Sequence, residues 1–188
     1  MRVIAGKYKG RKLAAPAGRD IRPTTDKTKE AMFSILAFEL PDARVLDLFS
    51  GTGSLGIEAL SRGAASCVFC EKSRQALDQI RENLDHCDIG DEARIQPGDV
   101  ARSLERFGDL GEKFDVILMD PPYGQGLCQQ ALGIIDEHDL LEEGGIIICE
   151  HRKEDDMPEQ VGSLQRTRER RYGISMLTQY VVAMPNSM

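Results

Sequence analysis

Residues 119–124 read "MDPPYG" and follow the apolar run "FDVIL" without a break. Asp120 places a carboxylate where a buried strand leaves the core. Pro121 disfavours helical geometry in the residue before it, which keeps Asp120 extended. Neither Pro121 nor Pro122 has an N–H to give to a ladder, so the loop is stiff and rich in unspent carbonyls. A carboxylate and a carbonyl aimed at one spot form an acceptor pair, the complement of a planar amino group with two N–H donors. On a nucleobase that amino nitrogen is a poor nucleophile, because its lone pair is delocalised into the ring. Two acceptors on its protons favour the pyramidal form and stabilise the positive charge that grows as nitrogen attacks an electrophile. Tyr123 offers a face for a base drawn out of its stack, worth about 1–3 kcal/mol. Without that chemistry the same residues read as a proline-stiffened connection carrying an incidental acid and ring.

A second motif lies upstream. "LDLFSGTGSLG" places Gly51, Gly53 and Gly56 between a strand and a helix, as in loops that bring backbone N–H groups close to a ligand. Glu71, twenty residues past Gly51, falls at the tip of the next strand, where a carboxylate accepts both ribose hydroxyls. A nicotinamide dinucleotide fits this much. Asp47, four residues before the first glycine, fits it less well. A buried acid is costly unless it meets a cation or bonds the loop backbone. It would repel a pyrophosphate and welcome the amino group of an amino acid. S-adenosylmethionine carries such a group and no phosphate. Asp99, in "GDV", ends a third strand and can accept from an adenine amino group, with Val100 beside the ring; alone, Asp99 also reads as a plain turn that caps a helix. Three acids ending three successive parallel strands look like a ligand rim, since open α/β sheets bind at that edge.

The elements that must position these groups follow from hydrophobic periodicity. "RVIAGKYKGRKLAAP" alternates loosely between glycines, as a small hairpin lying off the main core. "RPTTD" supplies helix caps, and a helix is expected over 26–38 with Thr28, Met32, Ile35 and Leu36 on one face. Strand then alternates with helix: "ARVLDLF", "SCVFCE", "ARIQPGDV" leading into a loop, "FDVILMD" and "GGIIICE", with helices over "SLGIEALSRG", around 77–87 and near 126–137. Near-continuous apolar strands between amphipathic helices indicate a parallel sheet covered on both faces. "LQRTRERRYG" and "ISMLTQYVVAM" have no helix between them and should form an antiparallel pair at the sheet edge. Simple alternation there puts Arg166, Arg168 and Arg170 on one face, as a phosphate contact or a solvated edge.

At 188 residues the chain suits one core. It has no apolar run of membrane length and begins without a signal-type apolar stretch, so cytoplasm is the expected compartment. The net charge of −7 hides an asymmetry: residues 1–29 hold nine Lys or Arg against two Asp, on an otherwise acidic body. A basic arm of this kind suits a polyanion partner or serves only solubility. Cys67, Cys70, Cys87, Cys128 and Cys149 lack a second pair at zinc spacing, so no metal is expected and buried reduced thiols are. His86, His138 and His151 lie outside every motif and read as surface residues.

"DPPY" downstream of "LDLFSGTGSLG" resembles the motif pair of class I amino-methyltransferases that act on nucleic acids. With "RVIAGKYKGRKL", "IRPTTDKTKEAMFSIL" and "ALSRGA", the whole chain is similar to the RsmD family, bacterial enzymes that methylate N2 of one guanine in 16S ribosomal RNA. The resemblance implies a Rossmann-like α/β fold: a mostly parallel seven-stranded sheet with helices on both faces, an antiparallel C-terminal edge hairpin and a small N-terminal β-hairpin. It implies a basic RNA-contacting arm over 1–24 and a methyltransferase domain over 25–188. S-adenosylmethionine would be held by Asp47, Ser50, Gly51, Thr52, Gly53, Glu71, Lys72, Asp99 and Val100, with Thr24 and Thr25 in the segment that closes over it. Asp120, Pro121, Pro122 and Tyr123 would hold the target amine. Arg2, Lys7, Lys9, Arg11, Lys12 and Arg22 would contact 16S rRNA, within a 30S particle or its precursor, and the protein would act as a monomer. Tyr123 stands where some members carry Phe, which leaves stacking intact. The rival readings are a DNA adenine-N6 or cytosine-N4 methyltransferase, a nicotinamide oxidoreductase, and a non-catalytic RNA-binding assembly factor.

Overall fold

The computed structural model describes residues 1–15 and 25–183. Five helices alternate with the strands of one mixed sheet: α1 Asp26–Ile35, β1 Arg44–Leu48, α2 Ser54–Ser61, β2 Ser66–Glu71, α3 Arg74–His86, β3 Ala93–Pro97, α4 Val100–Asp109, β4 Phe114–Met119, α5 Leu127–Glu137, β5 Leu141–Arg152, β6 Gln160–Val161, β7 Leu164–Tyr172 and β8 Ser175–Val182. The order is β3-β2-β1-β4-β5-β8-β7-β6. Strands β1 to β5 pair in parallel; β8, β7 and β6 add on antiparallel. The eighth strand, beyond the seven expected, is the two-residue β6 along the outer edge of β7.

Both faces of the sheet are covered, which is why its central strands are apolar throughout. On one face Val45, Val116, Leu118, Ile148 and Leu177 pack under α1, α2 and α3; on the other Leu46, Leu48, Ile117, Ile147 and Tyr180 pack under α4 and α5. Helix α1 is shorter than its pattern implied. It ends at Ile35 with Leu36 as C-cap, and buries Lys29 and Phe33 beside Thr28 and Met32, leaving Ile35 half-buried. Helix α4 replaces the loop expected after β3: Asp99 caps it, and Leu104 and Phe107 bury on one side. His151 is buried, not at the surface, with Nε2 2.6 Å from Thr178 Oγ1. Cys67, Cys70 and Cys87 are buried thiols, and the sulfurs of Cys128 on α5 and Cys149 on β5 lie against each other.

The N-terminal hairpin does not lie off the core. Val3 N–H donates to the Arg11 carbonyl and Gly10 N–H to the Val3 carbonyl, and Val3, Tyr8 and Leu13 are buried in the α1–α3 layer. Helix α2 is its anchor. Glu58 accepts from the N–H groups of Ile4 (2.8 Å) and Ala5 (3.1 Å), and Ser61 accepts from Lys7 and Tyr8 through its carbonyl and hydroxyl. Gly6, at φ +86°, lies so close that any Cβ would collide with the Ser61 carbonyl. Lys29 Nζ, on α1, lies 3.2 Å from Glu58 and donates to the Arg2 carbonyl. Arg62 donates to Glu58 at 2.8 Å while stacking on Phe33.

Candidate functional site

The strand order reverses between β1 and β4, and the crevice that such a reversal opens at the carboxyl edge is the expected ligand position. A cavity of about 540 Å³ lies there, lined from the ends of all five parallel strands. That volume is ordinary for a site that encloses a cofactor-sized molecule.

From β1 the chain turns through Phe49, whose φ of +58° is rare for a residue with a side chain, into Ser50 and Gly51. A Cβ on Gly51 would meet nothing within 4 Å, whereas one on Gly56 would collide with the Phe69 ring. The two glycines therefore do different work: Gly51 leaves the cavity open, and Gly56 lets α2 close on β2. Gly53 begins α2 at φ +83°. Asp47 is buried behind the loop, where Oδ2 accepts the Gly56 N–H at 3.0 Å and its carbonyl accepts the Ser50 hydroxyl at 2.7 Å. Burial raises its carboxyl to about 7, opposed by the Gly56 N–H and Ser50. Asn83 ties the same loop to the hairpin, donating to the Thr52 carbonyl at 2.9 Å and accepting from Ala14 N–H at 2.8 Å.

From β2, Glu71 reaches the cavity half-buried; burial pushes its carboxyl up, against the N–H groups of Ser73, Lys72 and Gly51. Lys72 lines the cavity beside it. From β3, Asp99 has both roles open to it, accepting Arg102 N–H at 3.3 Å as cap of α4 while lining the cavity with Val100. From β4, Asp120, Pro121, Pro122 and Tyr123 line the same space. From β5, the Arg152 guanidinium lies 4.5 Å over the Tyr123 ring.

The structure thus gathers Ser50, Gly51, Thr52, Glu71, Lys72, Asp99 and Val100 with Asp120–Tyr123 around one cavity. It leaves Asp47 and Gly53 in the second layer, and Thr25 as the N-cap of α1, accepting from Thr28 N–H at 3.2 Å. Thr24 and Arg22 lie outside the described residues. Of the basic arm, Arg2, Lys7, Lys9 and Lys12 are exposed. Arg11 is half-buried and engaged, 3.1 Å from Asp88 and donating to the His86 carbonyl. Sequence reasoning missed Phe49, Arg152 and the α5 face of Leu127, Gln130 and Ile134. Phe49 sits inside the quoted loop motif and was within reach; Arg152 becomes visible only through the pairing of β5 with its neighbours. Among the described residues no group of three or more His, Cys, Asp or Glu could hold a metal ion, and no helix is long and apolar enough to cross a membrane.

A family model described as "Conserved hypothetical protein 95" matches residues 1–181. "Putative rRNA methyltransferase YlbH" of Bacillus subtilis is 41% identical over 96% of this chain and 98% of its own length. "Ribosomal RNA small subunit methyltransferase D" of Escherichia coli K12 is 33% identical over 84% of this chain and 78% of its own. The solved structure titled "Putative methyltransferase yhhF from Escherichia coli" superposes with a TM-score of 0.86 at 31% identity, over 98% of this chain and 99% of that one.

Proposed function

Because the chain belongs to this family, the RsmD family of ribosomal RNA methyltransferases, we propose that it transfers a methyl group from S-adenosylmethionine to the exocyclic N2 of a guanine in 16S rRNA. Guanine 966 is the position to test first. The observation that carries the reading is that one cavity brings Asp120–Tyr123 together with Glu71, Asp99 and the open backbone at Gly51.

The rim suits S-adenosylmethionine by its charge. Glu71, Asp99 and Asp120 all border the cavity, a set that accepts hydroxyl and amino donors and would repel a dinucleotide's pyrophosphate. When bound, the cofactor supplies a methyl group on a sulfonium. The rest is done by the chain. Glu71 would accept from the ribose hydroxyls and Asp99 from the adenine amino group, with Val100 beside the ring. Asp120 and a carbonyl of the proline pair accept the N2–H bonds of guanine, so that its lone pair localises on nitrogen. Asp120 would stabilise the charge that develops there as the N–C bond forms and the S–C bond breaks, with the electron pair left on sulfur as a thioether, and would take up the surplus proton afterwards. Tyr123 stacks the base, and holding nitrogen in line with the methyl group supplies much of the remaining rate. Residues 1–24 contact RNA through Arg2, Lys7, Lys9 and Lys12, which gives affinity without sequence choice. The particle recognised is a 30S subunit or its precursor in the cytoplasm. In this reading the protein works as a monomer.

The test is transfer of a tritiated methyl group to unmodified 30S particles, naked 16S rRNA and duplex DNA. Label confined to the ribosomal substrates, at guanine N2, is expected; label on DNA would establish the rival amino-methyltransferase. Asp120→Ala should lower turnover by about 10²–10³-fold, the loss typical of removing one transition-state acceptor or donor, with S-adenosylmethionine affinity within twofold. Unchanged turnover removes Asp120 from the mechanism.

A further inference from the structure

Arg166, Arg168, Arg170 and Arg171 crowd into β7 of a chain whose net charge is −7. Simple alternation would put the first three on one face, but the register shifts between Arg166 and Arg168, leaving Thr167 as an extra residue. Arg166 then lies opposite Tyr180 and Arg171 opposite Met176, on one face; Arg168 lies opposite Gln179 and Arg170 opposite Leu177, on the other. Arg166 is committed to the fold, donating to the Met157 carbonyl at 2.9 Å and lying 3.6 Å from Glu159 and Glu169. Arg171 donates to the Gly173 carbonyl. Arg168 and Arg170 are exposed and make no ion pair within 4.0 Å among the described residues.

The pairing continues inwards. Strand β8 sets Gln179 against Ile148, Leu177 against Glu150 and Ser175 against Arg152. Directly opposed residues share a sheet face, so Arg168, Arg170 and Arg152 share one, stepping from the edge of the sheet towards the cavity. At the inner end of this row the Arg152 guanidinium covers the Tyr123 ring at 4.5 Å. The N-terminal hairpin is anchored on α2 and α3, towards the β2–β3 side, and β4 with Asp120 lies between the two basic regions.

We propose that Arg152, Arg170 and Arg168 form a phosphate track for single-stranded substrate RNA, leading along the outer strands to Tyr123. Resting on the proposed function, this adds a second grip across the cavity from the hairpin. A base stacking on Tyr123 takes the place of the guanidinium, and Arg152 turns to the backbone phosphate beside that base. Arginines on an edge strand also deter sheet-to-sheet pairing, a role indifferent to which face they occupy.

That indifference gives the test. Binding of unmodified 16S rRNA is measured against salt for the wild type, the double variant Arg168→Gln/Arg170→Gln, Arg171→Gln and Arg152→Gln, with thermal melts to show that each is folded. Since each phosphate contact contributes about 0.7–0.9 to the log–log salt slope, the double variant should flatten it by about 1–2. Arg171→Gln, equal in charge and one residue away, should leave it within error. Arg152→Gln should bind RNA less tightly yet bind free guanosine at least as well, because the ring is uncovered. An unchanged slope in the double variant, equal flattening by Arg171→Gln, or weakened guanosine binding in Arg152→Gln would each overturn the track. Binding is read without methyl transfer, so a wild type that binds with this salt dependence but transfers nothing sinks the proposed function and leaves the track standing.

Discussion

Two enclosed carboxylates flank the glycine loop and are built on opposite plans. Glu58, under the hairpin, receives the N–H groups of Ile4 and Ala5, the guanidinium of Arg62 at 2.8 Å and the ammonium of Lys29 at 3.2 Å. Asp47, behind the cavity, is as deeply buried but receives one backbone N–H, from Gly56, with Ser50 nearby. Burial pushes both carboxyls up. At Glu58 the donors outweigh it and hold the group below its ordinary value; at Asp47 they do not, and it rises to about 7. An acid meant to hold structure is oversupplied with donors. The one behind the rim is left short, and so still responds to the charge of whatever enters in front of it.

Removing Glu58 should show the largest contrast. Glu58→Ala leaves Lys29 and Arg62 without their shared anion and the hairpin without two of its bonds, so urea unfolding should record a loss of about 3–5 kcal/mol. Replacing the pair together, Glu58→Gln with Lys29→Met, should recover part of it, since residues in one network do not add. If Glu58→Ala costs under about 1 kcal/mol, the oversupply is an illusion of geometry.

Next comes the hairpin seat. Gly6→Ala forces a side chain onto the Ser61 carbonyl at a positive φ, so a loss of about 2–3 kcal/mol is expected. The variant should bind RNA more weakly while keeping its affinity for S-adenosylmethionine. Equal loss of both would mean that the hairpin and the cavity, joined through Asn83, act as a single unit.

A third contrast sharpens the comparison through pH. The folded Asp47 carboxyl keeps its proton up to about pH 7, whereas in the unfolded chain it ionises near pH 4. Between those values the unfolded state binds fewer protons, so this group makes stability fall as pH rises, by at most about 1.4 kcal/mol per pH unit. Asp47→Asn should flatten that decline and keep the Gly56 bond. Glu58 acts with the opposite sign: its depressed carboxyl contributes stability that is lost as pH falls into the acid range. Denaturant titrations at pH 4, 5.5 and 7 distinguish the two; a wild type and an Asp47→Asn variant that run parallel would refute the assignment.

What the sequence disclosed was local. The apolar runs named five parallel strands, and the acids at their ends, Glu71, Asp99 and Asp120, fell on one rim because strand ends in such a sheet share an edge. Helix α4 was equally legible, with Val100, Leu104 and Phe107 at helical spacing behind a capping Asp99. Other features depended on distant partners. Nothing in "RVIAGKYKGRKL" says that its backbone will meet Glu58 more than fifty residues away, or that Arg11 will be spent on Asp88. Asp47 bonds the loop at Gly56, and Ser50, three residues on, borders the cavity in its place.

The irregularity at Thr167 has a consequence for reading related chains. One supernumerary residue rotates everything beyond it by half a turn relative to its neighbours, so composition can stay constant while the electrostatic surface is reassigned. Deleting Thr167 would close the bulge and leave Arg166 and Arg168 on the opposite faces they occupy now, whereas pairing Thr167 into the ladder would carry Arg168 and Arg170 over to the face of Arg166 without altering the formal charge by a single unit. Two chains with identical arginine counts in this strand therefore present different charged faces according to whether the residue after Arg166 is bulged or paired.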